Sequence, residues 1–89
     1  FSVSNYPNPF NPATTIECVM PRRGHLSLKV YNLRGELIRT LVDGVREEGV
    51  ERVSWDGSND TGGKVSSGVY FYEARTDGKV EVRKMALIK

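Results

Sequence analysis

Chemistry-bearing side chains are scarce in this 89-residue chain, which has one cysteine, Cys18, and one histidine, His25. A lone cysteine rules out an internal disulfide. A catalytic thiol needs a base beside it and a third group to orient that base, and His25 alone cannot supply both. The same scarcity excludes zinc-ligand spacing and a Ser-His-Asp constellation, and no Gly-rich phosphate loop is present. No apolar run approaches the roughly 20 residues that span a bilayer as a helix. Charge of one sign is lacking too. Thirteen basic and 11 acidic residues leave a net +2 spread along the chain, whereas a nucleic-acid binder gathers its cations into a stripe. Arg22-Arg23, the only adjacent Arg pair, follows Pro21 in an expected turn and reads as solvated surface. Phe1-Ser2-Val3 lacks the charged start and apolar stretch of a secretory signal, so the chain reads as a piece of a larger precursor with Lys89 as its natural terminus. Export stays open, because a fold with a sufficient core needs no disulfide. Neither enzyme activity, nucleic-acid binding nor membrane insertion is expected.

What is present is concentrated near the start. Tyr6-Pro7-Asn8-Pro9-Phe10-Asn11-Pro12 holds three of the four prolines and two aromatics. Each proline fixes its own φ and pushes the preceding residue into extended conformations, while Asn8 and Asn11 favour turns. Residues 1–13 are therefore expected to form a stiff, kinked arm packed on the domain, with Tyr6 and Phe10 available to plug into it. The remainder, 14–89, has room for one core.

Short strands are expected throughout. Thr14 to Met20 is β-branched and apolar, and Pro21 stops it; Cys18 reads as a buried small hydrophobe there. From His25 to Asn32 the chain alternates, with Leu26, Leu28 and Val30 on one side. Asn32-Leu33-Arg34-Gly35 reads as a type I turn closed by a glycine with φ > 0. Glu36 to Val42 returns, with Ile38, Thr40 and Val42 on one face and Leu37, Arg39 and Leu41 on the other; Asp43-Gly44 is expected to break it. A short helix through this stretch is the rival reading. Val50 to Trp55 is expected to turn Val53 and Trp55 inward. After a polar loop from Asp56 to Ser67, Gly68 to Arg75 carries apolar residues at consecutive positions, as in a strand covered on both faces or one lying under the arm. Asp77-Gly78 signals a hairpin into the closing strand, Lys79 to Lys89. Six or seven strands at this spacing predict an all-β, immunoglobulin-like antiparallel β-sandwich. Trp55 and Tyr70–Tyr72 would supply much of its core, at about 1.5–3 kcal/mol per large apolar side chain.

Three clusters qualify as candidate sites. Asp56, Asn59 and Asp60 lie in the one oxygen-rich loop and could contribute to a calcium site, although calcium takes six to eight oxygens and the distal glutamate of an EF-hand loop is missing. A turn held by Asx side chains explains the same residues. Glu47-Glu48 lack an apolar wall to separate their titrations, so they read as solvated loop. Tyr6, Phe10, Tyr31, Tyr70 and Tyr72 form either a core rim or a stacking platform for sugars.

The order Asn5-Tyr6-Pro7-Asn8-Pro9-Phe10-Asn11-Pro12, Thr14-Thr15-Ile16, and Val30-Tyr31-Asn32-Leu33-Arg34-Gly35 resembles the C-terminal sorting domain, type A, of the bacterial type IX secretion system. The likeness continues through Trp55-Asp56-Gly57, Gly62, Ser67-Gly68-Val69-Tyr70-Phe71-Tyr72 and the closing Lys84-Met85 to Lys89. Trp-Asp-Gly to Gly-Val-Tyr also resembles the immunoglobulin-like domain of the flagellar hook-capping protein.

The resemblance implies a non-catalytic handle, without cofactor, at the C-terminus of a secreted cargo. It implies passage through the periplasm, recognition by an outer-membrane translocon, and then surface attachment or release. A sortase-like peptidase would remove the domain by a cut before the arm, near or upstream of Phe1. The cargo domain would precede it in the same precursor. Recognition would fall on Lys84, Met85, Ala86, Leu87, Ile88 and Lys89, by strand addition to a sandwich edge. The framework would rest on Tyr6, Pro7, Asn8, Pro9, Phe10, Asn11, Trp55, Gly68 and Tyr70. The alternative is a structural or surface-binding immunoglobulin-like module in an extracellular multidomain protein, with a protein or polysaccharide partner.

Overall fold

Apolar residues at every second position drive the chain into strands, and a computed structural model describing residues 1–89 has seven of them and no helix. They are β1 (Ser2–Tyr6), β2 (Thr14–Met20), β3 (Gly24–Tyr31), β4 (Leu37–Arg46), β5 (Gly49–Trp55), β6 (Gly68–Thr76) and β7 (Lys79–Leu87). One sheet has the order β1-β2-β5 and the other β4-β3-β6-β7, with every pairing antiparallel. The expected immunoglobulin-like sandwich is what forms. Its core lies between the sheets, where Ile16, Cys18 and Met20 of β2 meet Leu26, Leu28 and Val30 of β3 and Tyr70, Tyr72 and Ala74 of β6. The alternation of β3 turns its apolar set wholly inward, each of the three side chains being fully buried.

Turn chemistry fixes the hairpins. Gly35 has φ +80, which a side chain would strain. It closes the β3–β4 turn by donating to the Asn32 carbonyl at 3.0 Å. The Asn32 carboxamide oxygen accepts from the N–H groups of Arg34 and Glu36 in the same turn. Asp77-Gly78 joins β6 to β7 with Thr76 opposite Lys79, the two-residue hairpin its sequence signals.

Three departures from the sequence reading matter. Ser2–Tyr6, expected within the arm, pairs along β2 from Ser2↔Val19 to Tyr6↔Thr15 and buries Val3. Asp43-Gly44 does not end β4, because Ser27 and Leu26 of β3 continue to pair with it and carry the strand to Arg46. Register shifts in β4 also overturn its strict alternation: Val42 pairs with Leu28, then Thr40 with Lys29 and Arg39 with Val30. Residues directly opposite share a sheet face, so Arg39 sides with inward Val30 and Thr40 with outward Lys29. Such bulges insert a residue and re-aim its neighbours. Ile38 and Leu41 both pack partly against the core as a result.

Cys18 is fully buried, and burial, with a smaller contribution from Glu51, pushes its thiol up to about 11. A thiolate-directed alkylating reagent should therefore leave Cys18 unmodified at neutral pH in the native state and modify it fast in denaturant. Comparable rates in both states, read by mass spectrometry, would contradict this packing.

Candidate recognition site at the clasped C-terminal end

Proline has no N–H to donate, so any backbone N–H the arm offers to the rest of the domain comes from its other residues. Asn8 and Phe10 bond along the outer edge of β7. The Asn8 carboxamide carries a donor and an acceptor like a peptide group. Its oxygen accepts from the Ala86 N–H at 3.0 Å, and its nitrogen donates to the Lys84 carbonyl at 3.4 Å. The Phe10 N–H then donates to the Ala86 carbonyl, and its carbonyl accepts from the Ile88 N–H, both at 2.9 Å. Phe10 and Leu87 thus form a parallel bridge. At the root of the arm, the Thr14 hydroxyl donates to the Pro7 carbonyl at 2.9 Å and accepts from Asn5 at 3.1 Å. Asn5 in turn accepts from the Tyr72 hydroxyl at 3.0 Å. Burial pushes that hydroxyl up to about 12, with the nearby Arg83 charge opposing it.

Beneath the clasp lies an aromatic stack. The Phe10 ring, 2% exposed, meets Trp55 with centroids 5.7 Å apart, and Trp55 meets Tyr70 edge-on at 5.5 Å. Each polar handle finds a carbonyl. Trp55 Nε1 donates to Ser58 at 2.9 Å, and the Tyr70 hydroxyl donates to Ser66 at 2.7 Å. The second bond has the form of a tyrosine corner, a hydroxyl reaching back a few residues upstream of its strand. The tail closes over the same segment: the Lys89 N–H donates to Ser67 Oγ at 3.1 Å and its ammonium to the Val65 carbonyl. Gly57, at φ +80, sits where a Cβ would lie 3.4 Å from Leu87, so the loop passes close against the tail.

The framework residues named from the sequence largely converge here. Asn8, Phe10, Trp55 and Tyr70 build the clasp, and Gly68 opens β6 opposite Leu87. Tyr6 and Asn11 stay exposed, so of the two aromatics expected to plug in, only Phe10 does. The closing segment is divided. Met85 and Leu87 are core, each 2% exposed, while Lys84, Ile88 and Lys89 face solvent. Its outer edge is not free for an added strand, because Asn8 and Phe10 already take it from the Lys84 carbonyl to the Ile88 N–H. Asn5, Thr14 and Ser67 fall within the resembling motifs without a role assigned by the sequence, and Ser66 lies outside them. Isolated polar side chains and backbone carbonyls that make such bonds leave no periodic signal.

The oxygen-rich loop is organised by its own hydrogen bonds. Asn59 Oδ1 accepts from Thr61 N–H, Thr61 Oγ1 and Gly63 N–H. Asp60 accepts from the Thr40 N–H at 3.0 Å, and its own N–H donates to the Ile38 carbonyl, which covers that stretch of the β4 edge. Arg39 donates to Ser58 Oγ and Asn59 O. Asp56 accepts from the Ser58 N–H and hydroxyl and lies 3.2 Å from the Lys64 ammonium. These are the Asx-type bonds of a turn, with two cations, Lys64 and Arg39, set beside the carboxylates. No group of three or more His, Cys, Asp or Glu is arranged to hold a metal.

The Ser58 hydrogen bond, followed by Lys64, lowers Asp56 from 3.8 to about 2. A depressed carboxylate stabilises the fold above its unfolded value, and that contribution is lost as pH falls toward the folded one. Wild type should therefore lose loop stability between pH 3.8 and about 2, an increment absent from Asp56→Asn. The effect should be small, because Asp56 is largely exposed and solvent screens it. Acid unfolding curves of equal slope across that window in both proteins would count against it.

A family model described as FlgD Ig-like domain matches residues 13–79. Solved structures with the same sandwich include PorZ, an essential bacterial surface component of the type-IX secretion system of Porphyromonas gingivalis. It is 26% identical with a TM-score of 0.69, over 99% of this chain and 12% of PorZ. Dimeric latent PorU from the same organism gives a TM-score of 0.79 at 19% identity, over 97% of this chain and 9% of PorU. FlgD from P. aeruginosa gives 0.66 at 23% identity, over 83% of this chain and 58% of FlgD. This chain therefore spans one module's worth of longer proteins. No curated protein sequence matches it.

Proposed function

The chain belongs to the FlgD Ig-like domain family, and from that premise we propose that it is a non-catalytic handle of the type IX secretion system. In this reading it is a C-terminal sorting domain that carries a secreted cargo through the periplasm to an outer-membrane translocon. The cargo then reaches the cell surface or the medium, and a sortase-like peptidase removes the domain. One observation carries the reading: the arm and the terminal segment of the sorting-domain resemblance meet at one end of the sandwich. There Asn8 and Phe10 bind the β7 edge and Lys89 is tied to Ser67. The likeness to PorZ over 99% of the chain supports the same setting. Recognition would then read the exposed Lys84, Ile88 and Lys89 on a rigid end, in place of a loose tail.

A reporter exported to the periplasm and fused ahead of this chain tests it, in a host that has the machinery. Surface arrival with cleavage near Phe1, seen by mass spectrometry, is expected. Deleting Lys84–Lys89 is a poor control, because it strips Met85 and Leu87 from the core. Lys84→Glu and Ile88→Asp change only exposed side chains, and undiminished export of the double variant would remove these positions from the recognition surface.

The family match equally favours a second reading, a structural module within a multidomain extracellular protein. Appending a folded domain after Lys89 separates the two: sorting by a C-terminal end should stop, whereas a spacer should tolerate it.

A further inference from the structure

The arm divides the outer edge of β7 into a closed half and an open half. Ala86 presents both its N–H and C=O outward, to Asn8 and Phe10. In an antiparallel strand the outward groups belong to every second residue, so Val80, Val82 and Lys84 also present theirs to this edge. The N–H and C=O of Val80 and Val82, and the N–H of Lys84, therefore point away from β6, the one strand that pairs with β7, and no bond outside the ladders reaches them. Nor do side chains shield them: Val80 is 43% and Val82 54% exposed. Beside this open half, between β7 and β1, runs a notch of about 340 Å³ lined by Ser4, Asn5, Tyr72, Arg83 and Lys84, with Asn8 at its end.

Charge singles this edge out from the others. Lys79, Glu81, Arg83 and Lys84 take part in no ion pair, and they leave the strip at net +2. On β5, Glu51 and Arg52 are matched by Arg46 and Glu17, and on β4, Arg39 is matched by Asp60 while Asp43 lies 2.8 Å from His25. β1 carries no charged side chain. We propose that Val80–Lys84 is a docking rail for an extended acidic segment of another protein, which adds beside β7 as a further strand and stops where Asn8 begins.

Main-chain bonds to Val80, Val82 and Lys84 supply the register, and acidic side chains of the incoming strand meet Lys79 and Arg83 on one face and Lys84 on the other. A second copy of this chain fits worse. Antiparallel pairing about Val82 sets Glu81 against Arg83, but it brings two strips of net +2 together and leaves their lysines unmatched. The inference deepens the handle reading and draws only its biological setting from it. Failed export with intact peptide binding would remove the sorting role alone, and normal export with no binding would remove the rail alone.

The test uses the isotope-labelled 89-residue chain with two end-blocked peptides at millimolar concentration, Glu-Val-Glu-Val-Glu and Lys-Val-Lys-Val-Lys. The acidic peptide should shift the amides of Val80, Val82 and Lys84 and slow their exchange several-fold. Its binding should weaken several-fold from about 0.05 M to about 0.5 M salt as screening shortens. The basic peptide should leave them unchanged. Val82→Pro removes an N–H that the fold itself does not use and is tolerable on an edge, so binding should vanish while Trp55 fluorescence stays native. The double variant R83E/K84E should lose the acidic peptide and gain the basic one. Equal response to both peptides, shifts confined elsewhere, or no response would overturn the proposal. So would slowed exchange at Val82 that grows with protein concentration alone, since the occupant would then be a second copy.

Discussion

Trp55→Ala should cost about 3–5 kcal/mol of folding stability, the range for deleting a large buried aromatic. Small domains have about 5–15 kcal/mol in total, so the variant should sit near the edge of folding. Three losses combine. The side chain is 1% exposed and packs between Phe10 and Tyr70, so its removal opens a cavity beneath the arm and the β6 entry together. The Ser58 carbonyl loses its donor. The loop carrying Ser58, which also holds Arg39 and caps β4, then loses its anchor. Trp55→Phe keeps an aromatic ring in the stack but loses the Nε1 bond and part of the indole's volume, for a smaller cost of about 1–3 kcal/mol. Urea unfolding of the three proteins gives the comparison. A cost under about 1 kcal/mol for the alanine variant would show that the aromatic stack is peripheral.

Which features were legible in the sequence follows from how each is encoded. The inward face of β3 could be read directly, because Leu26, Leu28 and Val30 alternate with polar residues and every one is buried. The turns at Gly35 and Asp77-Gly78 were equally plain, since their backbone conformations select those residues. β4 is poorly legible for the opposite reason. Asp43-Gly44 is a turn signal locally, but β3 offers unpaired partners at Ser27 and Leu26, and pairing there outweighs the local preference. Its bulges are invisible to a period-two reading, which places Arg39 and Thr40 on the wrong faces. β1 was hidden by the prolines that follow it, although Phe1 and Val3 hold the alternate positions that face the core. The consecutive apolar residues of β6 suggest a strand either covered on both faces or lying under the arm. In the sandwich Tyr70, Tyr72 and Ala74 turn inward, while Val69 and Phe71 remain partly exposed on the outer face.

The candidate site was legible as a set of residues but not as an arrangement. Prolines and asparagines announced a stiff arm, and the terminal segment stood out as a possible contact surface. Nothing in either stretch says that one lies along the other, because the link is made by the Asn8 carboxamide and the Phe10 peptide groups, which have no sequence periodicity. That link has a consequence for recognition. The Met85 and Leu87 side chains and the edge from Lys84 to Ile88 are spent on the fold. What the end offers outward is a few exposed side chains, next to the open backbone of Val80 and Val82.

Phe10→Ala should release the arm, and it separates the two ties that hold it. The ring's loss should cost about 3–5 kcal/mol if the pocket stays open, less where Trp55 and Leu87 relax into it. Local opening sets amide exchange in this segment. The Ile88 N–H, bonded to the Phe10 carbonyl, should therefore exchange at least tenfold faster, the factor that about 1.4 kcal/mol of local destabilisation gives at 25 °C. Asn8→Ala should behave differently. It removes only the side-chain acceptor of the Ala86 N–H, costs about 1 kcal/mol, and should speed exchange at Ala86 while sparing Ile88. Val82 should respond to neither, because its N–H is already open. Unchanged exchange at both Ala86 and Ile88 in Phe10→Ala would mean that the tail holds its edge without the arm. Equal acceleration of the two amides in Asn8→Ala would mean that the carboxamide, and not the ring, is what keeps the clasp shut.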